Sequence, residues 1–175
     1  MNIAHSRLAN QGIANPTFTQ PVAVVSWLGA LQAQDYTGAL WSIGLRMASA
    51  TEATVEQALA ERTIVRTWPL RGTLHIVAAR DVRWLLALLT PRVIAQAAGR
   101  YRQLELDEAT FARSKAVFAA ALEGGKQLTR AELQLMLEQA NIATAGQRAY
   151  HLLVRAAQDG LICFGVPRGK QQTFT

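Results

Sequence analysis

Two glutamines stand one residue apart in the stretch Leu31–Asp35, and their carboxamides could bind a ligand or position water. We predict a helix from about Gln20 to Gln34, because Pro21 suits a first turn and apolar residues recur after it at helical spacing. Gln32 then falls on the apolar face, where an unpaired amide costs about 1–3 kcal/mol. Two interpretations stay open: Gln32 bonds neighbouring backbone structurally, or it forms with Gln34 the floor of a pocket.

Metal and nucleophile chemistry find little support in the sequence. His5, His75 and His151 are far apart, and the single cysteine, Cys163, lies in an apolar run and is expected in the core. No HExxH or CxxC spacing occurs, so we expect no metal site and no cofactor. The segment Gly165–Lys170 has one residue too few between its glycines for a phosphate-binding loop and is more typical of a hairpin turn.

Composition and charge favour a cytoplasmic protein with a polyanionic partner. The 175 residues carry a net charge of +6, and the cations are mostly arginines, whose guanidinium groups suit phosphate binding. A basic balance does not specify which polyanion is bound. The sequence has no apolar run of membrane-spanning length, no signal-peptide pattern and a single cysteine, which together favour the cytoplasm, and DNA as partner would place it at the nucleoid.

The first half of the chain reads as helices followed by two strands. β-branched and aromatic residues over Thr63–Trp68 and again over Thr73–Val77 predict a hairpin, with Pro69–Gly72 as its turn and Arg71 at the tip. Helices are expected before it, including Ile3–Asn10 and the glutamine-bearing segment. Helices followed by a hairpin with a basic turn are the plan of a winged helix.

The second half repeats this order after a new helix start at Pro91. Thr129 and Glu132 have the spacing of a capping box, and a helix over Gln147–Asp159 precedes a strand over Leu161–Val166. A basic turn and a return strand from Gln171 follow. The predicted fold class is therefore mainly α (α+β), with tandem winged helix-turn-helix domains at residues 1–90 and 91–175, each carrying a small β-hairpin wing.

Candidate DNA-binding residues lie on both hairpins and on one helix. Turn cations are often only solvated, and a histidine in a strand is more often packed than chemically active. The candidates are Arg66 and His75 on the first hairpin, Arg71 at its tip, Gln147, Arg148 and His151 on the helix of the second half, and Arg168 and Lys170 in the last turn.

Three segments, in this order, resemble the winged-helix DNA glycosylases of the AlkZ and YcaQ type: Leu31–Asp35, Arg66–His75, and Gly160–Gly165 with Gly169–Lys170. The resemblance implies tandem winged helices and excision of bulky or crosslinked alkylated purines from damaged double-stranded DNA. The family motif is two polar residues separated by one, either Gln-x-Gln or Gln-x-Asp. It implies that Gln32 and Gln34 are the catalytic pair. The family's C-terminal region has no counterpart after Thr175, so we expect the front portion of a longer protein.

Neutral amides suit this chemistry. An N7- or N3-alkylated purine already carries positive charge, so the site must position water and tolerate an oxocarbenium-like sugar, without a strong acid. A carboxamide can accept a hydrogen bond from that water but is not a strong base, so unmodified purines should be spared. Two other functions stay open: a DNA-binding regulator with structural glutamines, and a protein-interaction scaffold.

Overall fold

The computed structural model describes residues 2–175, which form two compact units. Unit 1 is the chain up to Arg66 together with Leu74–Asp81, and unit 2 is Thr67–Thr73 together with Val82–Thr175. The division thus differs from the predicted boundary at residues 90 and 91. Within residues 2–175 no helix is both long enough and apolar enough to cross a membrane.

Unit 1 combines helices with a small antiparallel sheet. Its helices are α1 (Ile3–Asn10), α2 (Pro21–Leu28), α3 (Tyr36–Gly44) and α4 (Glu52–Ala60). The strands are β1 (Leu31–Gln32), β2 (Ile64–Leu70) and β3 (Thr73–Ala78), in the order β1-β3-β2. The part of this hairpin from Thr67 to Thr73 belongs to unit 2. The apolar core of the unit includes Val24, Val25, Ile43, Val55, Ile64 and Ile76.

The helix expected to run to Gln34 ends at Leu28. Gly29 follows it with φ of 75° and ψ of −53°, a positive-φ conformation that interrupts the helix and that glycine adopts more readily than other residues. The chain then enters β1, which pairs with β3 in the register Leu31 opposite Ile76 and Gln32 opposite His75. The prediction that Gln32 lies on the apolar face of a helix was therefore wrong.

Unit 2 contains α5 (Val82–Gln103), α6 (Glu108–Leu122), α7 (Arg130–Gln139) and α8 (Arg148–Gln158), with two-residue strands β4 (Leu128–Thr129) and β5 (Thr173–Phe174). β4 and β5 pair antiparallel, with Leu128 opposite Phe174. The core of the unit includes Phe111, Phe118, Leu133, Leu137 and Leu152. The capping box predicted from Thr129 and Glu132 is confirmed at the start of α7.

Two boundaries in unit 2 differ from the prediction. Pro91 does not restart a helix but lies inside α5. Proline has no N–H and cannot make its helical backbone hydrogen bond, and beside this gap the Thr90 hydroxyl donates to the Leu86 carbonyl at 2.8 Å. The strand predicted over Leu161–Val166 is only partly paired: Cys163 and Thr175 exchange backbone hydrogen bonds of 3.0 Å, and Phe164 forms an isolated bridge with Phe174.

The two units share one order of elements. In unit 1, α2 is followed by β1, α3, α4 and the β2–β3 hairpin, and β1 pairs with β3. In unit 2, α6 is followed by β4, α7, α8 and the segment that ends in β5, and β4 pairs with β5. Each short strand thus joins two helices and is held by the last strand of its unit.

Candidate active site

The segment after β1 alternates exposed glutamines with a buried alanine. Ala33 is fully buried, whereas Gln32 and Gln34 are exposed on either side of it. The Ala33 N–H donates to the Leu74 carbonyl at 2.8 Å, which extends the β1–β3 pairing past the end of β1. This alternation follows from an extended backbone, in which successive side chains point to opposite sides. The two carboxamides therefore reach solvent from a backbone that is anchored between them.

The two glutamines use their carboxamides differently. Leu74 N–H donates to Gln34 Oε1 at 2.6 Å, so the oxygen of this side chain is occupied and its NH2 group remains as a donor. For the exposed Gln32 side chain, the described part of the chain supplies no hydrogen-bond partner, so both its oxygen and its NH2 group face solvent. Together they can offer an acceptor from Gln32 and donors from both residues.

Helix α3 begins directly after the motif. Asp35 is its N-cap, and the Asp35 carboxylate accepts a hydrogen bond from Gly38 N–H at 3.2 Å. A Cβ at position 38 would lie 2.5 Å from Asp35 Oδ2, so glycine is needed for this cap to form. The cap ends the extended segment immediately after Gln34 and prevents it from continuing as a strand.

Arg66 lies behind the motif and is buried. Its Nε and Nη2 both donate to the Ala33 carbonyl, at 3.1 and 2.8 Å, and its guanidinium lies 5.4 Å from the centre of the Tyr36 ring. Burial lowers the pKa of Arg66. Burial, followed by the nearby Glu56 carboxylate, raises the pKa of Tyr36 to about 12. Arg66, which was predicted to bind DNA, is therefore not on the protein surface.

His75 is the Cα partner of Gln32 across the β1–β3 pair and is 5% exposed. The pairing brings together two sequence segments, Leu31–Asp35 and Arg66–His75, that are separated along the chain. Because His75 is buried, it has little surface for contact with DNA.

The hairpin tips carry cations of two kinds. Arg71, with φ of 50° in the β2–β3 turn, and Lys170, in the last turn, are exposed. Arg168 is instead held within unit 2, where Nη1 donates to Glu132 Oε1 at 2.9 Å and Nη2 donates to the Gln127 carbonyl at 2.8 Å. Arg71 and Lys170 are therefore better placed than Arg168 to meet a phosphate backbone.

The three predicted residues at the start of α8 contact other parts of unit 2. Gln147 accepts a 3.0 Å hydrogen bond from Arg100, and Arg148 donates to the carbonyls of Ala143, Leu104 and Glu105. His151 packs edge-on against Tyr101, and burial, followed by the charge of Arg100, lowers its pKa. These contacts link α8 to the end of α5. Gln147 alone among the three is exposed.

Comparison with known proteins identifies the family of this chain. Residues 25–175 match the family described as DNA glycosylase AlkZ-like. The chain belongs to this family. An interstrand DNA cross-link repair glycosylase of Streptomyces sahachiroi is 30% identical over 172 residues, covering 90% of this chain and 44% of that protein.

The fold of this AlkZ-like chain also matches a solved structure. Streptomyces sahachiroi DNA glycosylase AlkZ has a TM-score of 0.72 and 24% identity to it, over 98% of this chain and 47% of that chain. The predicted resemblance and the mainly helical α+β fold class are thus confirmed. The AlkZ-like chain spans less than half the length of both relatives.

Two supporting contacts of the candidate site were not predicted, namely the Arg66 bonds to Ala33 and the Leu74 bond to Gln34. For Arg66 a signal was present in the sequence, because it stands two residues from the apolar Ile64 and Trp68 in a predicted strand and therefore shares their side of it. For Leu74 the donor is a backbone N–H, which no side-chain pattern marks. Among residues 2–175, no group of three or more His, Cys, Asp and Glu side chains gathers where a metal ion could bind.

Proposed function

We propose that this AlkZ-like chain belongs to a monofunctional DNA glycosylase that hydrolyses the N-glycosidic bond of alkylated or crosslinked purines, with Gln32 and Gln34 as its catalytic residues. The observation that carries the proposal is the pair of exposed carboxamides on either side of a buried, anchored Ala33. We further propose that each unit is a winged helix, since each has the same order of helices and paired strands.

The two carboxamides contribute different hydrogen-bonding groups to the positioning of water. Gln32 Oε1 is open to accept an O–H of the attacking water and to direct its dipole at the developing positive charge of the sugar. Gln34 contributes its NH2 group, since its oxygen is occupied by Leu74 N–H. The C1′–N9 bond breaks, its electron pair leaves with the alkylated purine, the water oxygen bonds to C1′, and the released proton passes to solvent.

Selectivity follows from the weakness of the amides. A positively charged alkylpurine leaves as a neutral base, so no proton donor is needed. A neutral purine would leave as an anion and needs an acid, which a carboxamide is not. DNA contact is assigned to the exposed Arg71 and Lys170, and the partner is double-stranded DNA that carries the lesion, at the nucleoid in the cytoplasm.

A second candidate is a DNA-binding protein without catalysis. The observation in its favour is that Gln34 Oε1 is bonded to backbone, as expected of a structural glutamine. In that case Gln32 would be an ordinary surface residue. Both candidates bind DNA, so only a chemical product separates them.

The deciding experiment uses the 175-residue chain in excess over a duplex that contains one N7-methylguanine. We expect abasic sites, cut by alkali, to form faster than by spontaneous depurination, while a matched guanine duplex gains none. If binding occurs and abasic sites form only at the spontaneous rate, the chain is a DNA-binding protein and the catalytic proposal is wrong.

A further inference from the structure

Ala33 separates the two glutamines, and both its backbone N–H and its backbone carbonyl are hydrogen-bonded. Its N–H donates to the Leu74 carbonyl at 2.8 Å, and its carbonyl accepts from Arg66 Nε at 3.1 Å and Nη2 at 2.8 Å. β1 ends at Gln32, so the Ala33 carbonyl lies just beyond the end of this strand. Ala33 is fully buried. A buried carbonyl requires a hydrogen-bond partner, and Arg66 supplies it.

Arg66 reaches this carbonyl from a strand that is not the neighbour of β1. The sheet order is β1-β3-β2, so the Arg66 side chain, which starts on β2, extends past β3. Burying a guanidinium is costly, and an apolar side chain packed at this position would avoid that cost. Arg66 lies between Ile64 and Trp68, which are both buried and apolar. The presence of the Arg66 guanidinium at this buried position therefore indicates that it does more than fill space.

We propose, on the basis of the function proposed above, that Arg66 is a positioning residue that fixes how Gln32 and Gln34 are presented to DNA. Holding both the N–H and the carbonyl of Ala33 fixes the peptide planes on its two sides. These planes set the directions in which the flanking glutamine side chains leave the backbone. Leu74 N–H then fixes the Gln34 carboxamide oxygen at 2.6 Å.

The guanidinium geometry is specific to this role. Two of its N–H groups converge on one oxygen, which a lysine ammonium on a flexible stem cannot reproduce. The ring of Tyr36 covers the guanidinium at 5.4 Å, and the Tyr36 hydroxyl lies 3.4 Å from Glu56 Oε1. The support thus runs from α4 through Tyr36 and Arg66 to Ala33.

The primary test is amide hydrogen exchange by NMR on the isotope-labelled chain. Leu74 N–H is bonded to the Gln34 side chain, so its exchange rate measures whether that carboxamide is in place. We expect Arg66→Met to speed exchange of the Leu74 and Ala33 amides about tenfold or more, with core amides such as Val55 little changed. Arg66→Lys should give a smaller acceleration. Arg80→Met, at an exposed arginine of the same unit, should give none.

Two exchange results would overturn the proposal. One is wild-type exchange at Leu74 and Ala33 in Arg66→Met, or in Arg66→Lys if the methionine variant does not fold. The other is equal acceleration of all unit 1 amides, which would make Arg66 a contributor to general stability only. Neither result depends on excision, so this arm remains decisive if the chain proves inactive.

An activity arm tests the consequence for catalysis. With saturating chain and a N7-methylguanine duplex, Arg66→Lys should lower the single-turnover rate about 10- to 100-fold, since a misplacement of about 1 Å costs on the order of 100-fold. Duplex affinity and its salt dependence should stay at the wild-type values. If the rate is unchanged, or if the salt slope flattens as for a lost phosphate contact, Arg66 does not act through the glutamines.

Discussion

β1 in unit 1 and β4 in unit 2 occupy the same place in the order of elements, yet their polar groups are used differently. Thr129, at the end of β4, is 6% exposed, and its hydroxyl accepts from Glu132 N–H at 3.3 Å. Its own N–H donates to Glu132 Oε2 at 2.6 Å. Glu132 in turn accepts from Arg168 at 2.9 Å. The polar groups at this junction are bonded within unit 2.

At the end of β1 the backbone is held and the side chains are left available. Arg66 and Leu74 anchor Ala33, and Asp35 caps α3. Gln32 and the NH2 group of Gln34 remain open to solvent. With the same order of elements, the polar groups at the β4 junction are bonded within unit 2, whereas the glutamine side chains at the β1 junction are exposed.

The largest change in stability should come from filling the space at Ala33. This residue is fully buried, so Ala33→Leu should lower the free energy of unfolding by about 1–3 kcal/mol through overpacking. Gln32→Leu, one residue away and exposed, is the matched control and should have little effect. Urea unfolding of both variants checks this. Equal stability of the two variants would show that Ala33 is not the anchor of the motif.

A smaller loss is expected at the junction of unit 2. Thr129→Val removes the hydroxyl that caps α7 and should cost about 0.5–2 kcal/mol, as N-cap losses do. Gln32→Ala should stay within about 0.5 kcal/mol of the wild type, because an exposed residue without a special contact contributes little. Chemical unfolding of both variants compares the junctions directly. A larger loss for Gln32→Ala than for Thr129→Val would reverse the comparison.

Acid should weaken the β4 junction through Glu132. The Thr129 N–H, followed by Arg168, lowers the pKa of Glu132 from 4.5 to about 2. A lowered pKa contributes stability above the unfolded-state value of 4.5, and this contribution is lost as the pH falls from about 4.5 to about 2. The Tm advantage of the wild type over Glu132→Gln should therefore shrink across this interval. A constant Tm difference would show that the ionised carboxylate does not matter.

The smallest expected effects concern the hairpin tips and DNA. Arg71→Ala and Lys170→Ala should each flatten the log–log salt dependence of duplex binding by about 0.9, the value for one lost phosphate contact. Arg168→Ala should leave the slope unchanged and lower the Tm, because its guanidinium is bonded to Glu132 and Gln127. Fluorescence titrations at several salt concentrations measure the slopes. A flatter slope only for Arg168→Ala would reassign the DNA contact.

The sequence predicted best those features that residues close together in the chain determine. The Thr129–Glu132 capping box and the two strands of the first hairpin were predicted, because spacing and β-branched residues determine them locally. The end of α2 was missed, since the apolar pattern continues past Gly29 to Leu31 and only the conformation of Gly29 and pairing with β3 end the helix.

The sequence pointed to the two glutamines, whose catalytic role stays a prediction, and not to the contacts that hold them. The Gln-x-Gln spacing identified Gln32 and Gln34 through the family resemblance. Arg66, predicted to bind DNA, is instead buried, as are Ile64 and Trp68 two residues to either side of it in β2. The bond from Leu74 N–H to Gln34 joins residues 40 positions apart in the chain, which local patterns cannot reveal.

The most direct test of the account is single-turnover excision of N7-methylguanine by Gln32→Ala, Gln34→Ala and Gln34→Asp, with the melting temperature measured on the same samples. We expect each alanine variant to lose severalfold to a thousandfold in rate, or about 1–4 kcal/mol of transition-state stabilisation, with little change in Tm for Gln32→Ala. Gln34→Asp should retain activity on the charged lesion. Wild-type excision per folded molecule by both alanine variants would contradict the catalytic role of the glutamines.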